Sequence, residues 1–128
     1  MKYRNFKPFG SISALTLGGG GIGNVWGKTS RREAVDTALY AIDSGINHLD
    51  MAPMYGRGEA ELVVGEALKD RDANKLKVTT KCQLGTLPHH QVYEKLNESL
   101  SESFERMKIE KVNLFLLHSQ LIKDDYQL

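Results

Sequence analysis

Cysteine, long apolar runs and excess charge are scarce in this sequence, and each shortage excludes a class of protein. A single cysteine, Cys82, excludes an internal disulfide framework and fits a reducing compartment such as the cytoplasm. The 17 basic and 16 acidic side chains leave a formal charge of +1, so no basic surface of the kind that binds nucleic acid or an anionic membrane is expected. No apolar run approaches the roughly 20 residues of a membrane span, and the N-terminus has no signal-peptide core.

Hydrophobic periodicity and turn residues divide the 128 residues into strands and helices of a single domain, 1–128. A short hairpin or irregular lead-in is predicted for residues 1–13. Ser30 and Glu33 form a capping box at the start of a helix that Gly45 closes. The predicted strands are 14–17, 46–50, 77–81 and 112–117, the other helices are 59–69 and 91–107, and no strand is predicted in the tail 124–128.

Successive strand ends are separated by roughly 30 to 40 residues, which is the length of a strand–helix–strand unit. Three such units in series predict a parallel sheet with right-handed crossovers. Parallel strands are usually covered on both faces, and the nearly continuous apolar run 112–117 fits that arrangement. The predicted fold class is therefore α/β, with about four parallel strands alternating with helices.

A glycine-rich segment follows the first predicted strand, and Gly18, Gly20 and Gly23 spell the pattern G-x-G-x-x-G. The match to a dinucleotide-binding fingerprint is weak, because that motif needs its helix to begin within the glycines. Here the capping residue, Ser30, comes several positions later. The sequence therefore favours a flexible loop that a bound molecule approaches closely, with Trp26 projecting towards it.

Four side chains with acid–base chemistry lie at predicted strand ends. Asp50 and Lys81 each end a strand, His118 follows the last strand, and Tyr55 lies on the Pro/Gly-punctuated loop after Asp50. In α/β folds the carboxyl ends of parallel strands form the edge at which catalysis takes place. A phenol is a weak acid at neutral pH, and a neighbouring cation stabilises its phenolate. Each residue alone fits an ordinary packing or solvated role, but their common placement favours a functional site.

The other histidines and the cysteine do not fit a metal site. His48 lies two residues before Asp50 on the same strand face, and we interpret it as a core or supporting residue. His89 and His90 lie near Cys82, but their spacing fits no standard zinc pattern and adjacent histidines cannot easily bind one ion together. We therefore expect no metal.

Residues 45–61, GINHLDMAPMYGRGEAE, resemble the signature of the aldo-keto reductase family around its catalytic aspartate and tyrosine. Thr80-Lys81 is similar to the segment that contains the family's catalytic lysine, and 114–118, LFLLH, is similar to its histidine strand. The glycine-rich segment 17–27 and the early hairpin match in order, so the resemblance covers nearly the whole chain. The departures from the family pattern are Met51, Ala60, Asn113 and the pair Ser119-Gln120.

The resemblance implies both a fold and an activity. The fold would be the N-terminal half of a (β/α)8 TIM barrel, which typically has about 250 residues, preceded by a short hairpin. The activity would be the reversible reduction of aldehydes or ketones to alcohols by hydride transfer from NADP(H). Tyr55 would be the general acid, Lys81 and Asp50 would assist it, and His118 would orient the carbonyl group.

The resemblance also implies binding residues, and two alternatives stay open. Gly19, Gly20 and Asp50 would contact the cofactor, and Trp26 would line the substrate pocket. In the first alternative, the chain is a catalytically silent half-barrel that self-associates through its open strand edges. In the second, the chain is a Rossmann-type oxidoreductase with Asp50 on the adenosine ribose. The substrate and the choice between NADPH and NADH are not determined.

Overall fold

A computed structural model of the chain describes residues 1–120, and the predicted strand-free tail 124–128 lies outside them. In the described part, β1 (Tyr3–Phe6) and β2 (Gly10–Ser13) form an antiparallel hairpin. A second sheet has four parallel strands that neighbour each other in chain order. These strands are β3 (Leu17–Gly18), β4 (His48–Asp50), β5 (Lys77–Cys82) and β6 (Leu114–Leu117).

Helices connect each strand of the parallel sheet to the next. Strands β4, β5 and β6 each pair in parallel with the strand before them, which confirms the predicted α/β alternation, and the antiparallel β1–β2 pair confirms the hairpin. The helices are α1 (Gly19–Ile22), α2 (Arg31–Asp43), α3 (Glu59–Ala67) and α4 (His89–Met107), with a 3₁₀ turn at Ala73–Lys75. None of the helices within residues 1–120 is long and apolar enough to cross a membrane.

The apolar core lies between the parallel sheet and the helices. Leu49 of β4 and Val78 of β5 are side by side in the sheet and are buried together with Val63 of α3 and Met107 of α4. Side chains alternate between the two faces of a strand, so Asp50 points away from this core. The packing of the helices therefore fixes the sheet from one face and leaves the other face for polar side chains.

Helix α2 begins where the sequence predicts. The side-chain oxygen of Ser30 accepts a hydrogen bond from the backbone N–H of Glu33 at 3.2 Å, and the Glu33 carboxylate accepts one from the backbone N–H of Ser30 at 3.0 Å. This is the complete capping box. The Glu33 carboxylate also accepts a hydrogen bond from the Ser30 hydroxyl at 2.7 Å, and this bond and the one from the Ser30 backbone N–H lower the pKa of Glu33. Gly45, with φ of 92°, follows the helix end in a conformation that favours glycine.

The hairpin is attached to the amino ends of the parallel strands. The Tyr3 hydroxyl donates a hydrogen bond to the carbonyl oxygen of Gly45 at 2.9 Å. The side chain of Asn47, one residue before β4, accepts from the N–H of Ser13 at 2.7 Å and donates to the carbonyl of Ser11 at 3.1 Å. The hairpin therefore lies at the end of the sheet opposite to Asp50.

Some strand and helix boundaries differ from the predictions. The strand predicted at 14–17 is displaced to Leu17–Gly18, because the N–H of Ala14 donates to the carbonyl of Lys2 in the hairpin. Helix α4 begins at His89, two residues earlier than predicted. Strand β5 continues to Cys82, because Cys82 pairs with Leu117 of β6.

The glycine-rich segment is helical at its start, so the predicted flexible loop is wrong there. The N–H of Gly23 donates to the carbonyl of Gly19 at 2.8 Å, and Gly19, Gly20 and Ile22 of α1 are buried. Glycine is a poor helix former, so the local sequence does not favour this turn. The packing of α1 against α2 and α3 overrides that preference.

Strand β6 is more exposed than its apolar sequence predicts. Leu116 and Leu117 keep 38% and 39% of their surface accessible, although both faces of the strand were expected to be covered. Within residues 1–120 the strand pairs only with β5, so its other edge has no strand beside it. The apolar pattern therefore correctly identified a strand but not the degree of its burial.

Candidate functional site

Three of the four acid–base side chains come from the carboxyl ends of neighbouring strands. Asp50 is the last residue of β4, Lys81 is the penultimate residue of β5, and His118 directly follows β6. Since the strands are parallel and adjacent, these ends lie along one edge of the sheet. The loop between β4 and α3 adds Tyr55 to the same edge.

The ammonium group of Lys81 is the centre of the site. Its Nζ donates hydrogen bonds to Oδ1 of Asp50 at 2.6 Å, to the carbonyl oxygen of Met51 at 2.9 Å and to the phenol oxygen of Tyr55 at 3.1 Å. An ammonium has three donors, so these three partners can use all of them. Only 10% of the Lys81 side chain is exposed, and a charge buried to this extent needs such partners.

Tyr55 is held between this ammonium and the ring of His118. The Lys81 Nζ lies 4.7 Å from the centroid of the Tyr55 ring, within the range of a cation–π contact. The rings of Tyr55 and His118 meet edge to face, with centroids 5.5 Å apart and planes at 86°. The phenol is therefore oriented by contacts from two other strands as well as by its own loop.

The loop that presents Tyr55 folds back on itself through its glycines. The N–H of Gly58 donates to the carbonyl oxygen of Pro53 at 2.7 Å, and the N–H of Tyr55 donates to the carbonyl oxygen of Ala52 at 3.0 Å. Gly56 and Gly58 have φ of 67° and 90°, which residues with a side chain adopt only with strain. The Pro/Gly punctuation in the sequence thus corresponds to a compact turn.

The position of His118 is fixed by a backbone hydrogen bond, and one of its ring nitrogens has no hydrogen-bond partner among residues 1–120. Its N–H donates to the carbonyl oxygen of Cys82 at 2.7 Å, which continues the β5–β6 pairing past the strand end. Its Nδ1 is a buried atom without a hydrogen-bond partner among the described residues. A buried polar atom in this state usually has a functional or structural explanation.

A pocket of about 360 Å³ lies beside Lys81 and His118. Pro53, Met54 and Leu84 line it together with polar side chains of α4, whereas Asp50 and Tyr55 do not line it. Another pocket, of about 380 Å³, lies near the amino ends of β5 and β6 and contains none of the four acid–base side chains.

His48 lies on β4, two residues before Asp50 and on the same face of the strand. Its Nδ1 is 3.0 Å from the hydroxyl of Thr16 and its Nε2 is 2.9 Å from the hydroxyl of Thr79. Burial lowers the pKa of His48, and the nearby Asp50 and Lys81 act in opposite directions on it. These contacts agree with the interpretation of His48 as a supporting residue.

The glycines proposed as cofactor contacts lie against aromatic rings. A Cβ at Gly19 would come within 2.8 Å of Cδ2 of Tyr55, and one at Gly20 within 2.9 Å of Cζ2 of Trp26. Trp26 is 81% exposed, so its ring lies on the surface beside α1. The structure thus brings Asp50, Tyr55, Lys81 and His118 together, whereas Trp26 contacts the neighbouring α1.

One hydrogen-bond partner of Lys81 was not predicted from the sequence. The carbonyl oxygen of Met51 is a partner of Lys81, and a backbone contact of this kind leaves no signal in a sequence. Among residues 1–120 no group of three or more His, Cys, Asp or Glu side chains is placed to hold a metal ion.

Comparison with known proteins gives matches over most of the chain. The profile of the Aldo/keto reductase family matches residues 14–126. The NADH-specific methylglyoxal reductase of Escherichia coli (strain K12) is 32% identical over 125 residues, which cover 87% of this chain and 38% of that protein. The chain therefore spans well under half the length of this curated relative.

Solved structures agree with the four-stranded arrangement. A thermostable aldo-keto reductase crystallised with the inhibitor epalrestat is 31% identical with a TM-score of 0.77, and the match covers 92% of this chain and 43% of that one. An aldo/keto reductase from Klebsiella pneumoniae in complex with NADP and acetate is 25% identical with a TM-score of 0.75, covering 91% and 38%. The predicted fold, the N-terminal half of a (β/α)8 barrel, is confirmed.

Proposed function

The chain belongs to the aldo/keto reductase family, and we propose that it carries the proton-donating part of an oxidoreductase that reduces aldehydes and ketones to alcohols. The observation that carries this proposal is the position of the Lys81 ammonium, 2.6 Å from the Asp50 carboxylate and 3.1 Å from the Tyr55 phenol. A cation at hydrogen-bond distance stabilises the negative charge that forms on the phenol oxygen as its proton is transferred. The proposal sets aside the Rossmann-type alternative, because Asp50 is engaged with Lys81 and the family match covers residues 14–126.

In the proposed reaction Tyr55 is the general acid. A nicotinamide cofactor supplies a hydride to the carbonyl carbon when it is bound, and is itself oxidised. The oxygen of the carbonyl takes the phenol proton of Tyr55 as the C=O π bond breaks, giving the alcohol. Lys81 stabilises the phenolate that remains, and Asp50 holds Lys81 in place. In the reverse direction the phenolate takes the proton back.

His118 orients the carbonyl group in this proposal. Its ring lies against the ring of Tyr55 at the open strand ends, with the two centroids 5.5 Å apart. Imidazole can donate or accept a hydrogen bond near neutral pH. A carbonyl oxygen between the imidazole and the phenol would be held where the proton is delivered.

The residues around this edge fit the nicotinamide end of a cofactor. Asp50 keeps 34% of its side chain exposed, so its carboxylate remains accessible to a bound molecule at this edge. We assign Gly19, Gly20 and Asp50 to this contact and Trp26 to the substrate side, as the family resemblance implies. NADP(H) is supported by the Klebsiella pneumoniae structure, whereas the Escherichia coli relative is NADH-specific.

Residues 1–128 would then form one partial barrel domain that acts on small carbonyl compounds in the cytoplasm. The single buried cysteine and the balanced charge support the location. A second candidate, a catalytically silent half-barrel that self-associates, is supported by the exposed apolar side chains of β6.

Turnover of small aldehydes by three purified proteins tests the proposal: the wild-type chain, Tyr55→Phe and Tyr93→Phe. Tyr93 lies on α4 and is 79% exposed, so it is the matched control for loss of a phenol hydroxyl. We expect Tyr55→Phe to lower kcat by about 10²- to 10⁴-fold, the usual contribution of a general acid, and Tyr93→Phe to leave it unchanged. Equal turnover by all three proteins would refute the role of Tyr55, and no turnover by the wild-type chain would favour the silent half-barrel.

Fluorescence titration of the same three proteins with NADPH and NADH tests the cofactor proposal separately. Tighter binding of NADPH would support NADP(H), and tighter binding of NADH would contradict it. Absence of binding to either would mean that residues 1–128 do not hold the cofactor by themselves.

A further inference from the structure

Glu61, in the first turn of α3, is a completely buried carboxylate with both oxygens engaged. Its Oε1 accepts a hydrogen bond from the hydroxyl of Thr80 at 2.6 Å, and its Oε2 accepts one from Nε of Arg106 at 2.7 Å. Burying a carboxylate without such partners would strongly destabilise the fold, because the ion would lose its hydration without compensation. Its two partners come from β5 and α4, so one side chain joins three structural elements.

Thr80 and Glu61 each adjoin a segment that carries one of the proposed catalytic groups. Thr80 directly precedes Lys81 in β5, and the two side chains point to opposite faces of the sheet. Glu61 follows Ala60, whose N–H donates to the carbonyl oxygen of Tyr55 at 3.2 Å. The hydrogen bond between Glu61 and Thr80 therefore links the segment that carries Tyr55 to the strand that carries Lys81.

Arg106 holds the start of α3 from the other side. A Cβ at Gly58, the residue that precedes α3, would come within 2.8 Å of Cδ of Arg106. The guanidinium also lies 3.4 Å from a carboxylate oxygen of Glu102 and 3.5 Å from the hydroxyl of Ser103, both on its own helix. The loop that ends at Gly58 is the loop that presents Tyr55, so Arg106 restricts its movement away from the sheet.

We propose that Glu61 is a positioning residue that fixes the Tyr55 phenol at 3.1 Å from the Lys81 ammonium, acting through Thr80 and Arg106. The inference rests on the proposed function, because it concerns the geometry of the proton donor. Glu61 reaches neither group itself, since its oxygens are engaged on the opposite face of β5. A role in stability alone would change the free energy of unfolding but would leave the Tyr55–Lys81 geometry of the folded molecules unchanged.

The geometry can be measured by NMR without turnover. Because the ring of Tyr55 lies 4.7 Å from Nζ of Lys81, its ring current displaces the ε-methylene proton signals of Lys81, and Tyr55→Leu removes that displacement. We expect Glu61→Gln and Thr80→Val to move these signals in the direction that Tyr55→Leu moves them, by a substantial fraction of the same displacement. Thr80→Ser keeps the hydroxyl and should restore the wild-type position.

A control variant and the independent test by Thr80→Val make the outcome decisive. Asp43→Asn weakens an exposed ion pair between the end of α2 and the turn after α3, with Arg71 at 2.5 Å, and should leave the Lys81 signals unchanged. Thr80→Val retains the pair between Glu61 and Arg106, so it remains a test if Glu61→Gln does not fold. Folded Glu61→Gln and Thr80→Val proteins with wild-type Lys81 signals would overturn the proposal. Unchanged kcat in Tyr55→Phe would refute the proposed function without affecting the NMR result.

Discussion

Gly19 lies directly against the ring of Tyr55: a Cβ at Gly19 would come within 2.8 Å of Cδ2 of that ring and within 2.9 Å of the sulfur of Met51. The absence of a side chain therefore leaves the space in which the proposed proton donor lies. The family resemblance implies that the same position contacts the cofactor. A glycine at a strand end can serve a neighbouring side chain as well as a bound molecule.

Gly19→Ala should displace Tyr55 and destabilise the fold. Overpacking of a buried site costs about 1 to 3 kcal/mol, and we expect the free energy of unfolding to fall by that amount. Gly21→Ala, in the same helix, is the control, because the nearest atom to a Cβ there is 3.9 Å away in Trp26. Alanine favours helix over glycine, so Gly21→Ala should leave stability unchanged or raise it. Urea denaturation of both variants checks this, and equal effects would contradict the packing argument.

Arg106→Met should destabilise the chain far more than Arg71→Met. Removing Arg106 leaves the buried carboxylate of Glu61 without its cation, which typically costs about 3 to 5 kcal/mol. Arg71 pairs with Asp43 on the surface, where a pair contributes about 1 kcal/mol or less. Chemical denaturation of the two variants under identical conditions measures the difference. Similar losses would show that Glu61 finds another partner.

The stability of the chain should fall as the medium becomes mildly acidic, partly because of His48. Burial lowers the pKa of His48 in the folded state, so the unfolded chain binds its proton more readily. The neutral, buried His48 side chain therefore contributes its full stabilisation above about pH 6.5, which is the ordinary pKa of histidine. This stabilisation is lost as the pH falls below that value. Thermal unfolding between about pH 5 and pH 8 should show this slope, and His48→Gln should reduce it. An unchanged slope in His48→Gln would assign the pH dependence to other groups.

Leu117→Lys should weaken self-association of the chain. The side chain belongs to β6, whose apolar residues are exposed beside an unpaired strand edge in the described structure, and lysine on such an edge opposes pairing. Leu15→Lys, at an exposed leucine outside the parallel sheet, is the control. Sedimentation velocity over a range of concentrations should show association of the wild type and of Leu15→Lys, with Leu117→Lys at least about tenfold weaker. A wild-type monomer at all concentrations would exclude the self-associating alternative.

Local sequence signals were reliable where a few neighbouring residues decide the structure. The capping box of Ser30 and Glu33 needs only atoms within one helical turn, and it is present. The alternation of strands and helices was predictable because each element has its own hydrophobic period. The helical turn at Gly19–Ile22 was not predictable, because packing against α2 and α3 overrides the poor helix propensity of glycine.

The sequence alone was enough to predict which side chains lie at the carboxyl edge of the sheet. Asp50, Lys81 and His118 end their strand patterns, and strands in parallel register bring such ends together. The folded structure was needed to show that Lys81 lies between the Asp50 carboxylate and the Tyr55 phenol, and that Glu61 is paired with Arg106. Those distances depend on the register of strands and on the packing of helices far apart in the chain, and neither is set by the residues adjacent to any one of these groups.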